Sequence, residues 1–281
     1  MTHARRESVR GLAALLAAAL IALGAGIALA RPADWDKEDW CNNTWNDHER
    51  TRVCEVRELT LGRVPAILHV EPGVNGGVEV AAGPAGAVTV KARVEAWAKS
   101  KAEAEALLPQ IRIVDDGDGL SVEGPAMTGK RGAANWSVSF RVEAPAATPL
   151  ELTATNGPVG VYGMTGRMLL ETTNGPLAIV GGGGDVAART QNGPLAVELT
   201  GARWNGKGLD ARAINGPVSI SVPRSFDADL EYGTLNGPWS GPRPATAEGR
   251  RGGYAHVRMG KGGAPISVTT QNGPFAIQHS R

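Results

Sequence analysis

The chain has 281 residues, a formal net charge of +1, 38 glycines and only 5% aromatic residues. A nearly neutral balance gives no basic surface for nucleic acid, and the glycine-rich composition suits tight corners and slim strands with little helix. Once an N-terminal targeting segment is set aside, the remaining length fits one extended domain or two small ones.

Residues 1–30 read as a secretory signal peptide. Arg5, Arg6 and Arg10 precede an uncharged apolar run from Gly11 to Ala30, and Ala28-Leu29-Ala30 places small residues at the positions that define cleavage after Ala30. Export to the periplasm or the cell surface follows. The alternative is a retained anchor, because a run of about 20 apolar residues is long enough to span a bilayer. The residue directly after the cleavage point is Arg31 and not cysteine, which speaks against lipid attachment there. Residues 31–57 hold Cys41 and Cys54, and an exported chain with this even count is expected to pair them. A metal site using Asp47 and His48 lacks a convincing ligand spacing. Trp35, Trp40 and Trp45 stand at steps of five. They read either as a disulfide-pinned cap that seals one end of a stack or as an aromatic ligand platform.

Residues 58–149 are β-like. Asn75-Gly76-Gly77 with Val78 and Val80 gives a first corner followed by two inward positions, so a stack of repeats is expected to begin near residue 60. Lys99 to Leu108 predicts the one helix after the signal, ended by Pro109. Asp115-Asp116-Gly117-Asp118-Gly119 has part of a calcium-loop composition but not the ligand pattern or the closing Glu, so it reads as a hairpin turn.

Residues 150–281 carry the organising motif. Asn-Gly-Pro occurs at Asn156, Asn174, Asn192, Asn215, Asn236 and Asn272, with spacings of 18, 18, 23, 21 and 36, the last as if one copy had decayed. A fixed period of this size marks a repeat architecture. Three residues after each Asn stand Val159, Leu177, Leu195, Val218, Trp239 and Phe275, and five after stand Val161, Ile179, Val197, Ile220, Gly241 and Ile277. Small residues separate them, which is the alternation of a strand with one buried face. A two-residue hairpin needs a backbone donor after the turn, which proline lacks, and glycine before proline is pushed toward extended geometry. The expected fold is therefore all-β, a parallel β-solenoid whose corners stack the Asn side chains into a ladder. An antiparallel sandwich or meander is the alternative. Glu171 and Arg189 should pair on neighbouring rungs.

Gly182-x-Gly184-x-x-Ala187 is a loose dinucleotide fingerprint, but Asn192 arrives before a helix could form, so no cofactor is expected. The fifth copy is irregular. Gly241 and Pro242 break its second strand, and the excursion through Arg250 and Arg251 is the first place to look for a partner contact. The copy at Asn272 would form the exposed last rung, open to edge-to-edge self-association.

The signal peptide, the Trp and Cys cluster, the strand from Trp136 to Val142 leading through Pro145, and the Asn-Gly corners together resemble the bacterial putative-adhesin family of β-strand-repeat proteins. The resemblance covers roughly Glu55 to Ile277 and implies a β-solenoid at the cell envelope, without a catalytic residue to carry over. The regular proline and the excursion near Arg250 depart from it.

The leading functional expectation is a non-enzymatic envelope protein offering a smooth β-surface, along the small residues Ala178, Ala196 and Ser219, to an envelope protein or a glycan. A polysaccharide-active enzyme is the second reading. Glycoside hydrolysis asks for two facing carboxylates, and Glu151, Glu171, Asp185, Glu198 and Asp210 fall in no singled-out pair. A purely structural rod is the third.

Overall fold

The computed structural model describes residues 40–42, 50–127, 134–241 and 253–280. All of them fall in one compact unit, Glu38–Arg281. The signal segment, Trp35, Trp45, Asp47, His48 and the excursion with Arg250 and Arg251 lie outside the described residues.

The described chain is all-β with a single short helix. Its first elements are β1 (Thr51–Leu61), β2 (Leu68–Val70), β3 (Val78–Gly83), β4 (Val88–Ala98), α1 (Lys101–Leu107), β5 (Arg112–Asp115), β6 (Gly119–Glu123) and β7 (Asn135–Pro145). The repeats then supply β8 (Leu150–Asn156), β9 (Val159–Tyr162), β10 (Arg167–Asn174), β11 (Leu177–Val180), β12 (Gly183–Asn192), β13 (Leu195–Glu198), β14 (Asn205–Asn215) and β15 (Val218–Pro223). Last come β16 (Ala228–Asn236), β17 (Trp239–Ser240), β18 (Gly253–Met259), β19 (Pro265–Asn272) and β20 (Phe275–Ser280).

These strands form two ten-stranded mixed sheets, neither closed on itself. The first runs β1-β4-β7-β3-β9-β11-β13-β15-β20-β17 and the second β18-β16-β19-β14-β12-β10-β8-β2-β6-β5. Each Asn-Gly-Pro ends a strand of the second sheet and starts one of the first, so the corner carries the chain from sheet to sheet. Equivalent strands of different copies pair in parallel, with Asn opposite Asn and Leu177 opposite Leu195. The core lies between the sheets, where Val159, Leu177, Leu195, Val218 and Phe275 meet Leu152, Leu170, Ala188, Ala211 and Val268. In the early region only β2–β3, joined through Asn75, follow the corner pattern. β7 joins β3 in parallel, β4 and β1 then extend the first sheet in antiparallel fashion, and β5–β6 form an antiparallel hairpin in the second.

The corner chemistry explains the tripeptide. Asn174 Nδ2 donates to Asn156 Oδ1 at 3.0 Å, Asn192 to Asn174 at 2.9 Å and Asn215 to Asn192 at 3.0 Å, while Asn156 donates to Asn75 at 3.3 Å. Glycine follows because neighbouring rungs approach too closely for a side chain. A Cβ on Gly193 would stand 2.0 Å from the carbonyl oxygen of Gly175, and one on Gly175 1.9 Å from that of Gly157. That carbonyl is satisfied from inside the corner. Thr172 Oγ1 donates to Gly157 O at 2.9 Å and Thr190 Oγ1 to Gly175 O at 3.0 Å, so the threonine two residues before Asn serves a buried acceptor.

The order of the rungs differs from the order of the sequence. β19 lies between β14 and β16, and β20 between β15 and β17. The ladder follows: Asn272 donates to Asn215 and Asn236 donates to Asn272, both at 3.0 Å. The C-terminal copy is thus an inner rung, and the fifth copy is the outer one. The reason lies in the 36-residue gap, which contains β18. This strand runs back antiparallel along the outer edge of β16 and leaves the inner edge for β19. The irregular fifth copy suits its place, because Tyr232 and Trp239 cluster with Phe275, with ring centroids 5.3–5.8 Å apart.

The helix begins two residues later than Lys99, where the Ser100 hydroxyl caps it by accepting from Glu103 N at 3.3 Å. The acidic pentad is a turn. Asp115 accepts from Gly117 N, and Asp116 accepts from both Asp118 N and Gly119 N. No helix follows Gly184, which lies within strand β12. Among the described residues no helix is long and apolar enough to cross a membrane.

Candidate functional site

Alternation sends every second side chain of β8, β10, β12, β14, β19 and β16 outward. Across these strands the outward positions form rows set five, three and one residues before the corner Asn. The first row reads Glu151, Leu169, Ala187, Asp210, Ser267 and Glu231 in spatial order, following the registers of the second sheet. β18 extends the face, placing His256 opposite Glu231, Tyr254 opposite Gly233 and Arg258 opposite Asp229.

Two adjoining clefts lie on this face and share Arg212 and Glu231. The larger, about 760 Å³, is lined by Lys207, Asp210, Asp229, Glu231, His256 and Arg258 among others. The other, about 500 Å³, is lined by Glu171, Arg189, Gln191, Arg212, Tyr254 and Gln271 among others.

Every lysine and arginine lining the clefts meets a carboxylate. Arg212 Nε donates to Asp210 Oδ1 at 2.6 Å and Arg189 stands 3.5 Å from Asp210 Oδ2. Lys207 reaches Asp185 at 3.4 Å, and Arg258 Nε donates to Asp229 Oδ1 at 3.0 Å. The hydrogen bond to Asp210 raises the Arg212 pKa above its ordinary value, and the one from Arg258 holds the Asp229 carboxyl below the usual carboxylate range. Burial pushes the Tyr254 phenol up.

Ser267, Glu231 and His256 come together, but not as a proton relay. The Ser267 hydroxyl donates to Glu231 Oε2 at 2.6 Å, while His256 Nε2 lies 3.5 Å from the other oxygen of the same carboxylate. The acid stands between serine and imidazole, whereas a nucleophile needs the imidazole next to it. Asp210 and Glu231 share a row on either side of Ser267. Asp210 is clasped by two guanidinium groups, and Glu231 accepts from Ser267. Among the described residues no three His, Cys, Asp or Glu side chains gather as a metal site.

A second polar network lies on the outward face of the first sheet. Cys41 and Cys54 are joined in a disulfide with Cα atoms 5.7 Å apart. The Trp40 ring lies over Arg141 at 4.2 Å and Arg93 at 5.1 Å. Glu95, 5% exposed, sits between Arg52 and Arg93, each at 3.2 Å. Arg141, 7% exposed, meets Glu79, which also accepts from the Tyr162 hydroxyl at 3.1 Å. The Trp40 ring thus lies against outward side chains of the first sheet, where its face stacks on two guanidinium groups.

Comparison with known proteins gives structural likeness only. No family model matches the chain, and no curated protein matches it. Among the solved structures it resembles, several are named as putative adhesins and one as a putative lipid binding protein. A putative cell adhesion protein from Clostridium sporogenes is 14% identical, covering 82% of this chain and all of that one, with a TM-score of 0.39. A putative adhesin from Bacteroides fragilis is 10% identical over 81% of this chain and 97% of that one, with a TM-score of 0.28. A putative lipid binding protein from Parabacteroides distasonis shares 10% identity over 81% of this chain and 97% of that one, with a TM-score of 0.23.

Several sequence-level sites fall elsewhere. Arg189 stands opposite Glu171 in register but turns to Asp210 for its ion pair. On the first sheet Ala178 is only 2% exposed, so the small-residue column offers less surface than its alternation suggests. The clefts open on the opposite sheet, whose outward columns change residue type from copy to copy. Glu231 was not legible in the sequence for that reason, and Tyr254 and His256 because β18 belongs to no Asn-Gly-Pro copy. Aligning the first strands of the copies as well as the second ones would have placed Glu231 in the Asp210 column.

Proposed function

We propose that this chain is a non-enzymatic, adhesin-like module of the cell envelope, exported by its N-terminal segment, and that the stacked, corner-linked strands form a β-solenoid whose second sheet is the working face. The observation that carries this reading is the charge-paired outward face across β8, β10, β12, β14, β19, β16 and β18. Its strands are fixed by parallel pairing from β8 to β16 and by the antiparallel pairing of β18 with β16, and its ionic groups are matched to one another instead of being poised for proton transfer. A disulfide near the start of the described chain suits an oxidising compartment.

Retention of the immobilised protein on bacterial envelope fragments tests the reading. Glu171→Lys, Gln191→Lys and Gln271→Lys combined should cut retention at least tenfold, whereas Ala196→Lys with Ser219→Lys on the other sheet should leave it unchanged. Hydrolysis of any member of an envelope-glycan panel by the purified protein would overturn it, as would equal retention by all variants.

A further inference from the structure

We infer that the cleft around Tyr254, Arg212, Glu171 and Gln191 binds a neutral, linear glycan laid across the strands. This deepens the adhesin-like reading and rests on it. Three features of the face argue for that occupant.

The first is charge. Arg189 and Arg212 are both committed to Asp210, Lys207 to Asp185 and Arg258 to Asp229. An anionic ligand would have to displace these carboxylates. A neutral polyol need not, since it donates to carboxylates such as Glu171 and accepts from the nitrogens while the pairs stay closed. Planar groups such as Glu171, Gln191, Gln271 and the two guanidiniums each offer two hydrogen-bonding atoms side by side, which is the geometry that adjacent sugar hydroxyls require.

The second is Tyr254. Its partner in register is Gly233, which has no side chain, and its hydroxyl approaches the Thr270 carbonyl of β19, two strands away, at 3.5 Å. The ring therefore crosses β16 over the bare glycine and lies along the sheet. The ring is half-buried, and its exposed part would stack on the C–H face of a pyranose.

The third is repetition. Parallel strands step at about 4.8 Å, close to the advance of one sugar unit in an extended glycan, so the exposed Thr153, Glu171, Arg189 and Arg212, on four adjacent strands, would meet successive units. A peptide is a poorer fit. The backbone groups of these strands are consumed in the sheet, and Ile214 is the large apolar side chain exposed in this cleft, so a peptide would find neither a β-edge nor a set of anchor pockets.

The test uses the full-length exported protein with neutral linear hexasaccharides of glucose, mannose and N-acetylglucosamine, and sulfated hexasaccharides as the charged comparison, by calorimetry and saturation-transfer NMR. A neutral hexasaccharide is expected to bind with weak salt dependence. Tyr254→Ala and the exposed pair Glu171→Ala/Gln191→Ala should each weaken it at least tenfold with the thermal midpoint unchanged, and Tyr254→Phe should keep it, since the ring and not the hydroxyl makes the contact. Binding by the sulfated probes alone, steeply reduced by salt, overturns the inference in favour of an anionic ligand. So does neutral-glycan binding that these variants leave intact. Envelope retention that depends on this face and is lost after protease treatment of the fragments, with no hexasaccharide bound, overturns the glycan in favour of a protein partner while leaving the adhesin-like reading standing.

Discussion

Asn, Gly and Pro each answer a different physical demand at the corner. The Asn amide has one donor and one acceptor directed along the stack, so an inner rung such as Asn192 makes two ladder bonds. Asn192→Ala should lower stability by about 1–2 kcal/mol, the sum of two exposed side-chain hydrogen bonds, as read by denaturant unfolding. Gly193→Ala tests a harder constraint. Its Cβ would fall 2.0 Å from the Gly175 carbonyl, so neighbouring rungs must part and lose backbone pairing, a cost on the order of 3 kcal/mol or more. A Gly193→Ala protein as stable as the parent would show that the rungs are not held this closely. The glycine has extended geometry here, so close approach is what excludes a side chain, not a left-handed backbone.

The two strands of the C-terminal copy behave as an inner rung, which makes their residues sensitive to substitution. Val268 of β19 is fully buried between β14 and β16. Val268→Asp should cost more than about 3 kcal/mol by placing an unpaired carboxylate in the core, whereas a free terminal rung would tolerate it. Thermal unfolding distinguishes the two. At the outer edge β18 is clasped to β16 through Arg258 and Asp229. The folded-state pKa of Asp229 is depressed, so this contact contributes stability above the unfolded-state value of about 3.9 and loses it as pH falls through the lower folded value. The stability difference between the parent and Asp229→Asn should be level at neutral pH, begin to shrink as pH falls through about 4, and vanish only below the depressed folded-state value. High salt should shrink it, because the pair is exposed.

Over the whole described chain, the two outward sheet faces are used differently. One is covered near its antiparallel end by the Trp40 segment, tied down by Cys41–Cys54. Replacing both cysteines with serine should cost at most about 3 kcal/mol for a loop of this length. It should also free the Trp40 ring from Arg141 and Arg93, seen as a red shift in tryptophan fluorescence before the main unfolding transition. A shift only at that transition would mean that the cation–π contacts hold the segment without the bridge. The other face stays open and carries the clefts. This division was only partly legible in the sequence. The second strands of the copies, with Leu177-Ala178-Ile179 as the pattern, announce their inward columns at once. The first strands end in the same Asn but vary at each outward position, and a varied polar column looks like ordinary solvated surface.

The local rules were all present in the sequence. Period-two alternation, proline without a donor and asparagine at a recurring corner together determine extended strands that bend and stack in parallel, because each depends on neighbouring residues alone. The order of the rungs was not. Every corner presents the same amide and the same glycine, so Asn215 could be met by Asn236 or by Asn272 with equal ladder chemistry. Tertiary packing decided it. β18 occupies the outer edge of β16, the Tyr232–Trp239 pair closes against Phe275, and the last copy takes the slot between. That choice sets Ser267 between Asp210 and Glu231 and lets Tyr254 reach β19 across a glycine, so the site on the open face follows from which rung meets which.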